Sequence, residues 1–416
     1  MKYRKFLTGV LALTLAAGPY VSAEEGSVRQ FASEEQEQVQ MMSLSPGYPG
    51  LPYSDPYGDY QWAFLNNGLF KLVPSKKVKM EDAFEGWLGG KKPGAGEGPA
   101  EEGKKTTLAE VGIDINIVPA WEKYDKKADK RKAVVALIDT GVDYSHEELW
   151  NSVWVNEDET PGDGIDNDGN GYVDDLYGWN FYSDTNQVYV GKEDNHGTHS
   201  AGTIAAAKNG KGIVGINDPE YVKVMIVKAL GTKAGTGSPE NVAKAIRYAE
   251  ANGAVICNLS FGTTKYSEEL YQTIKKSNML FVVAAGNGDM ADRGYDIDGQ
   301  PVYPAAFDLD NIISVANLQL DGKLDPASNF GIKSVDLAAP GSYILSTVSG
   351  NGYSYMTGTS MAAPMVTGAA AMLYSYDPSL TLNDVKVRLL SSVHKLNSLM
   401  GKTLTGGMLD ISAALG

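Results

Sequence analysis

The sequence predicts an α/β fold with a mostly parallel central sheet and helices on both faces. Three observations carry this. First, several strand-length runs are apolar throughout, as in Ala133-Val134-Val135-Ala136-Leu137-Ile138, which is the pattern of a strand buried on both faces. Second, such runs alternate with helix-period segments; across 240–252 the apolar residues Val242, Ala245, Ile246 and Ala249 recur at helical spacing. Third, 43% of the 416 residues are hydrophobic, enough for a sizeable core. Alternating strands and helices close only as a parallel sheet covered on both sides.

In chain order, strands are expected at 133–138, 222–230, 254–259, 279–285, 312–316 and 334–337, and helices at 240–252, 267–277, 360–374 and 381–392. No internal repeat is present. In sheets of this kind the functional site lies at the carboxyl ends of the strands.

Ahead of this pattern the chain divides by composition. Residues 1–23 have the form of a secretory signal peptide. Lys2, Arg4 and Lys5 precede a short apolar run, and Val21-Ser22-Ala23 offers a small-residue cleavage site. Residues 24–52 are polar and read as a flexible extension or short pro-segment. From 53 to 416 the chain reads as the main domain. Its aromatic-rich opening, with Tyr57, Tyr60, Trp62, Phe64 and Phe70, is expected to pack on the rest. A charged, Gly/Pro-rich insertion follows at about 76–106. After the leader no stretch is long and apolar enough to span a membrane. The net charge of −15 argues against nucleic acid as a partner and suits a soluble protein that holds cations. The one cysteine, Cys257, excludes an intrachain disulfide and sits in an apolar run, so it reads as a core residue.

The chemistry is concentrated in four stretches. Asp139 closes the first apolar strand, in Asp139-Thr140-Gly141-Val142-Asp143. Two of the four histidines fall in Asn195-His196-Gly197-Thr198-His199-Ser200. His196 stands at a helix start facing a cleft, and His199 stands one turn further on. No Glu separates the two in the helical zinc pattern, which ranks zinc low. His146 and His394 have no such context and read as surface residues. Phe281-Val282-Val283-Ala284-Ala285-Gly286-Asn287-Gly288 is a buried strand ending on an amide suited to donating to an oxyanion. Gly358-Thr359-Ser360-Met361-Ala362-Ala363-Pro364 reads as a turn opening a small-residue helix, with Ser360 at the end where N–H groups and the dipole favour negative charge.

Together these stretches resemble the subtilisin-like serine proteases, whose chain order of Asp, His and Ser is that of Asp139, His196 and Ser360. The resemblance runs from about residue 53 to the end. It implies the three-layer subtilisin-like fold, a peptidase domain over 53–416 and a secreted serine endopeptidase. Ser360 would act as nucleophile, His196 as base and acid, Asp139 as its orienter, and Asn287 as an oxyanion donor beside the Ser360 N–H. An inactive, peptide-binding member is the alternative. The family's substrate strands map onto Ser260-Phe261-Gly262 and Gly235-Thr236-Gly237, with an extended peptide bonded between them. The small Ala284, Ala285 and Gly286 imply a roomy pocket for an apolar or aromatic residue. Met365 and Ser200 depart from the family pattern, which usually has His and Val there; neither belongs to the triad, so altered packing is expected. Ser54-Asp55-Pro56-Tyr57 and Tyr60-Gln61-Trp62 look like the start of a mature enzyme. That leaves too little chain before it for the usual folded pro-domain.

Between Asp139 and His196 lies Gly164-Ile165-Asp166-Asn167-Asp168-Gly169-Asn170-Gly171-Tyr172-Val173-Asp174-Asp175. Asp166, Asp168 and Asn170 alternate and are followed by Asp174 and Asp175, a hard-oxygen pattern that suits structural Ca²⁺. A second calcium set, Asp55, Glu148 and Asn209, is implied by the family. The expected partners are protein or peptide substrates. The protein is expected as a monomer, free outside the cell or held in the envelope.

Overall fold

A computed structural model describes residues 50–73, 107–231, 234–288 and 293–416, and the strand backbones at 28–30, 33–34 and 38–41. The signal peptide and the 76–106 insertion of the sequence reading lie outside the described residues, as does most of 24–52.

The strands are, in order, β1 (Val28–Gln30), β2 (Ser33–Glu34), β3 (Gln38–Met41), β4 (Phe70–Val73), β5 (Thr107–Leu108), β6 (Ala133–Asp139), β7 (Gly178–Asn180), β8 (Val222–Lys228) and β9 (Thr236–Gly237). They continue with β10 (Ile256–Leu259), β11 (Phe261–Gly262), β12 (Leu280–Ala284), β13 (Ile312–Leu318), β14 (Leu337–Pro340), β15 (Ile344–Val348), β16 (Gly352–Thr357), β17 (His394–Lys395) and β18 (Gly407–Met408). The helices are α1 (Ile117–Lys126), α2 (Asn195–Ala205), α3 (Pro239–Ala251), α4 (Glu268–Lys276), α5 (Thr359–Tyr376), α6 (Leu382–Ser391) and α7 (Ile411–Leu415).

The central sheet has the order β17-β18-β14-β13-β12-β10-β6-β8-β7. All its pairings are parallel except β17 with β18 at one edge. This is the expected α/β architecture. β10, β12 and β13 are buried along their whole length, which is why the sequence shows them as unbroken apolar runs rather than alternating ones. The last predicted strand, 334–337, lies three residues later, at Leu337–Pro340; just ahead of it the Asp336 side chain accepts the Ser314 N–H at 2.7 Å while the Asp336 N–H donates to the Ser314 carbonyl at 2.9 Å.

Helix α5 packs against β10, β12, β13 and β14 and against α2. Every residue from Thr359 to Leu373 is buried, as expected of a helix that is apolar all round. Gly368 is needed for this: a Cβ there would stand 2.8 Å from Ile216 Cδ1. The aromatic opening of the domain docks as expected, with Trp62, Phe64 and Phe70 buried. The Trp62 indole donates to the carbonyls of Ser342 and Tyr343, both at 3.1 Å. Cys257 lies fully buried in β10, and burial pushes its thiol pKa up.

Candidate active site

Asp139 is the last residue of β6 and His196 the second of α2, so sheet and helix deliver them to one place. Asp139 Oδ1 and His196 Nδ1 are 2.6 Å apart, and the two side chains are only 1% and 4% exposed. Asp139 Oδ1 also accepts the Thr140 N–H at 2.7 Å. The contact fixes Nδ1 as the protonated nitrogen facing the carboxylate, leaving Nε2 as acceptor. Nε2 has no hydrogen-bond partner among the described residues.

The junction that holds this pair is polar and buried. Gly197 donates to Thr140 Oγ1 at 3.1 Å, an approach closed to any side chain, since a Cβ would sit 2.2 Å from the Gly141 carbonyl. Lys228, at the end of β8 and only 1% exposed, donates to the Thr140 carbonyl and to Asp194 Oδ1, the latter at 2.7 Å. One ammonium thus ties the strand end to the residues that open α2.

Ser360 is the second residue of α5 and is buried. Its hydroxyl donates to the Ser260 carbonyl at 2.7 Å. The residue four places on is Pro364, which lacks the N–H that would give the Ser360 carbonyl its usual i+4 bond. The Ser260 hydroxyl supplies the missing bond at 3.1 Å. Ser260 in turn accepts from Asn258 Nδ2 at 2.9 Å, and Thr367 donates to Asn258 Oδ1 at 2.8 Å. Asn287 follows β12. Its Oδ1 accepts both the N–H and the hydroxyl of Thr359, each at 2.9 Å, which makes Nδ2 the donor end of that amide.

The mapped substrate segments form β9 and β11, with Gly235 in a left-handed turn ahead of β9. They do not pair with each other; β1 lies between them. Ala284, Ala285 and Gly286 end or follow β12 and are buried.

His199 does not join the pair. It is fully buried, its Nε2 lies 2.8 Å from the Ile344 carbonyl, and burial pulls its pKa down to about 4. His146 corrects the sequence expectation of a surface residue: it is fully buried, with Nε2 3.1 Å from the Gly352 carbonyl and Nδ1 accepting the Glu148 N–H at 3.2 Å. Its ring meets Tyr353 edge-on. His394 is exposed as expected.

In the acidic loop, carboxylate oxygens of Glu159, Asp168 and Asp175 lie within 4.8 Å of one another. Glu159 was missed from the sequence, standing outside the alternating pattern. Asn156 bridges Asp168 and Asp175 at 3.0 and 2.8 Å, and Asn170 does so at 2.9 and 3.0 Å. Asp166 instead accepts the backbone N–H groups of Asn170 and Gly171, and Asp174 those of Gly162 and Gly164. Elsewhere, Asp55 accepts from the N–H groups of Asn209 and Gly210, and Asn209 Nδ2 donates to Glu148 at 3.2 Å. Burial pushes the Glu148 carboxyl up to about 7.

The subtilase family model matches residues 130–407. The chain is 36% identical over 298 residues to subtilisin-like protease 1 of Plasmodium berghei (strain Anka), covering 68% of this chain and 49% of that protein. It is 35% identical over 314 residues to the major intracellular serine protease of Bacillus subtilis (strain 168), covering 73% and 89%. The crystal structure of fervidolysin from Fervidobacterium pennivorans, described as a keratinolytic enzyme related to subtilisin, aligns with a TM-score of 0.57 at 28% identity, covering 72% of this chain and 45% of that one. The chain spans about half the length of the Plasmodium relatives.

Two outcomes are expected. Ser260→Ala leaves the Ser360 carbonyl and the Asn258 amide without their partner, and should destabilise the fold by about 1–3 kcal/mol in urea titrations done on a Ser360→Ala background. Because the folded pKa of His199 lies below its unfolded value of 6.5, the unfolded chain binds the extra proton between these values. Its contribution is therefore full above pH 6.5 and is lost as pH falls toward about 4. NMR titration should show the His199 ring neutral at pH 5.

Proposed function

The chain belongs to the subtilase family, and we propose from this that it is a serine endopeptidase that hydrolyses peptide bonds through an acyl-enzyme. The observation that carries the reading is the 2.6 Å contact of Asp139 with His196, in a chain whose Ser360 opens a buried helix. The Ser360 hydroxyl turns from the Ser260 carbonyl to His196 Nε2, gives up its proton there and attacks the substrate carbonyl carbon. His196 passes that proton to the leaving amine. Asp139 holds the ring's tautomer and stabilises the imidazolium. The Ser360 N–H and Asn287 Nδ2 hold the oxyanion. The substrate lies extended between β9 and β11 as an added strand, with its apolar or aromatic residue against Ala284, Ala285 and Gly286.

The acidic loop suits a structural Ca²⁺. Three carboxylates offer oxygens within 4.8 Å of one another, a hard-oxygen set of the kind Ca²⁺ takes, and the Asn156 and Asn170 amides beside them can turn their oxygens inward. Glu159, Asp168 and Asp175 would hold the ion, with Asn156 and Asn170 completing the set. Asp55, Glu148 and Asn209 form the second, smaller candidate. Bound calcium would brace the loops leading to α2. Extracellular action fits the signal-like leader of the sequence.

A fluorophosphonate should give one covalent adduct on Ser360, absent in Ser360→Ala; no adduct on folded protein would turn the reading to an inactive peptide binder. Asn287→Ala should lower kcat by roughly 100- to 1,000-fold with little change in KM, the range known for that donor in subtilisin. In the Ser360→Ala protein the melting temperature should rise with calcium concentration, and Glu159→Gln with Asp175→Asn should flatten that dependence.

A further inference from the structure

Behind the nucleophile, three buried side chains form a line of hydrogen bonds that starts and ends on α5. Thr367, about two turns along that helix from Ser360, donates to Asn258 Oδ1 at 2.8 Å. The Asn258 amide, on β10, donates through Nδ2 to the Ser260 hydroxyl at 2.9 Å. That hydroxyl donates to the Ser360 carbonyl at 3.1 Å, and the Ser260 carbonyl receives the Ser360 hydroxyl at 2.7 Å. Thr367, Asn258, Ser260 and Ser360 are all fully buried.

The line has a direction, and each link sets the next. The two ends of an amide are alike in shape and opposite in sense, since the oxygen accepts and the nitrogen donates. With its oxygen held by the Thr367 hydroxyl, Asn258 turns Nδ2 to Ser260. The Ser260 oxygen accepts that N–H, so its own proton is left for the Ser360 carbonyl. The bond matters at that carbonyl because Pro364 lacks the N–H that would reach it from four places on. Were the amide reversed, its oxygen would take the Ser260 proton, and the hydroxyl would turn away from Ser360. Asn258 is the nearer of the two acceptors of the Thr367 proton; the other is the Ala363 carbonyl at 3.0 Å. Thr367 therefore decides which end of the amide faces Ser260.

We propose that Thr367 is a positioning residue for the nucleophile: its hydroxyl fixes the sense of the Asn258 amide and, through Ser260, holds the first turn of α5 in register with the sheet. This rests on the endopeptidase reading above. That turn carries both the Ser360 oxygen, which attacks, and the Ser360 N–H, which receives the oxyanion. Thr367 acts through the two residues between and not on substrate. Reactive geometry is steep in distance, and a misplacement of about 1 Å can cost about 100-fold in rate. Losing the hydroxyl at the far end of the line costs less, because Asn258 and Ser260 remain and the amide reverses in only part of the population.

The test uses full-length wild type, Thr367→Val, Thr367→Ser, Ser260→Ala and the Ser260→Ala/Thr367→Val double variant. It follows hydrolysis of a fluorogenic peptide, the rate of fluorophosphonate labelling and the urea midpoint of the labelled protein. Thr367→Val keeps the shape of the side chain and removes its donor. It should lower kcat about tenfold with KM unchanged, and slow labelling of Ser360 by the same factor. Thr367→Ser keeps the hydroxyl and should restore both rates. On the Ser260→Ala background Thr367→Val should cost nothing more, since the link it works through is gone. Thr367→Val with wild-type kcat would overturn the positioning role and leave the endopeptidase reading intact; a lowered urea midpoint beside it would make Thr367 a packing residue. Equal losses in Thr367→Val and Thr367→Ser would also overturn the role, as would losses that multiply in the double variant. Wild type showing neither hydrolysis nor labelling would overturn the endopeptidase reading, and the positioning role with it.

Discussion

Much of this molecule depends on the two hydrogen bonds between Ser260 and Ser360. Pro364 deprives the Ser360 carbonyl of its helical donor, and the Ser260 hydroxyl replaces it at 3.1 Å while the Ser260 carbonyl receives the Ser360 hydroxyl at 2.7 Å. A buried carbonyl left unpaired would cost about 1–3 kcal/mol, so the register between the sheet and α5 is tightly set. Ser260 lies between β10 and β11. The residue that fixes the serine helix therefore also joins β10 of the central sheet to β11.

The other half of the site depends on a buried charge. Lys228 draws the Thr140 carbonyl and Asp194 together, which sets the end of β6 against the start of α2 and so Asp139 against His196. Such a pair adds little over well-packed apolar residues, but losing one partner strands a buried charge, at a cost of about 3–5 kcal/mol. It is suited to fixing geometry rather than to adding stability. His199, on the same helix and uncharged down to about pH 4, serves packing through the Ile344 carbonyl and keeps a second cation away from His196.

The fold was legible because burial on both faces writes strands as unbroken apolar runs; β6, β10 and β12 stand within two residues of their predicted bounds. The meeting of Asp139 with His196 was legible because each ends or opens a regular element. What was not legible depends on partners far along the chain. β1, β2 and β3 lie in polar sequence and owe their form to β9, β11, β16 and β4. Glu159 precedes the alternating acidic pattern and joins Asp168 and Asp175 only through the path of the loop. His146, flanked by Ser145 and Glu147, carries no apolar signal, yet it is enclosed by Gly352 and Tyr353.

We propose that Asp139, His196 and Ser360 act as one unit. It is tested most directly by comparing kcat/KM for His196→Ala, Ser360→Ala and the double variant, with active-site contamination excluded. If the residues form one proton-relaying unit, either substitution removes the whole effect and the double variant is no slower than the worse single one. Losses that multiply in the double variant would show two independent contributions and overturn the single unit.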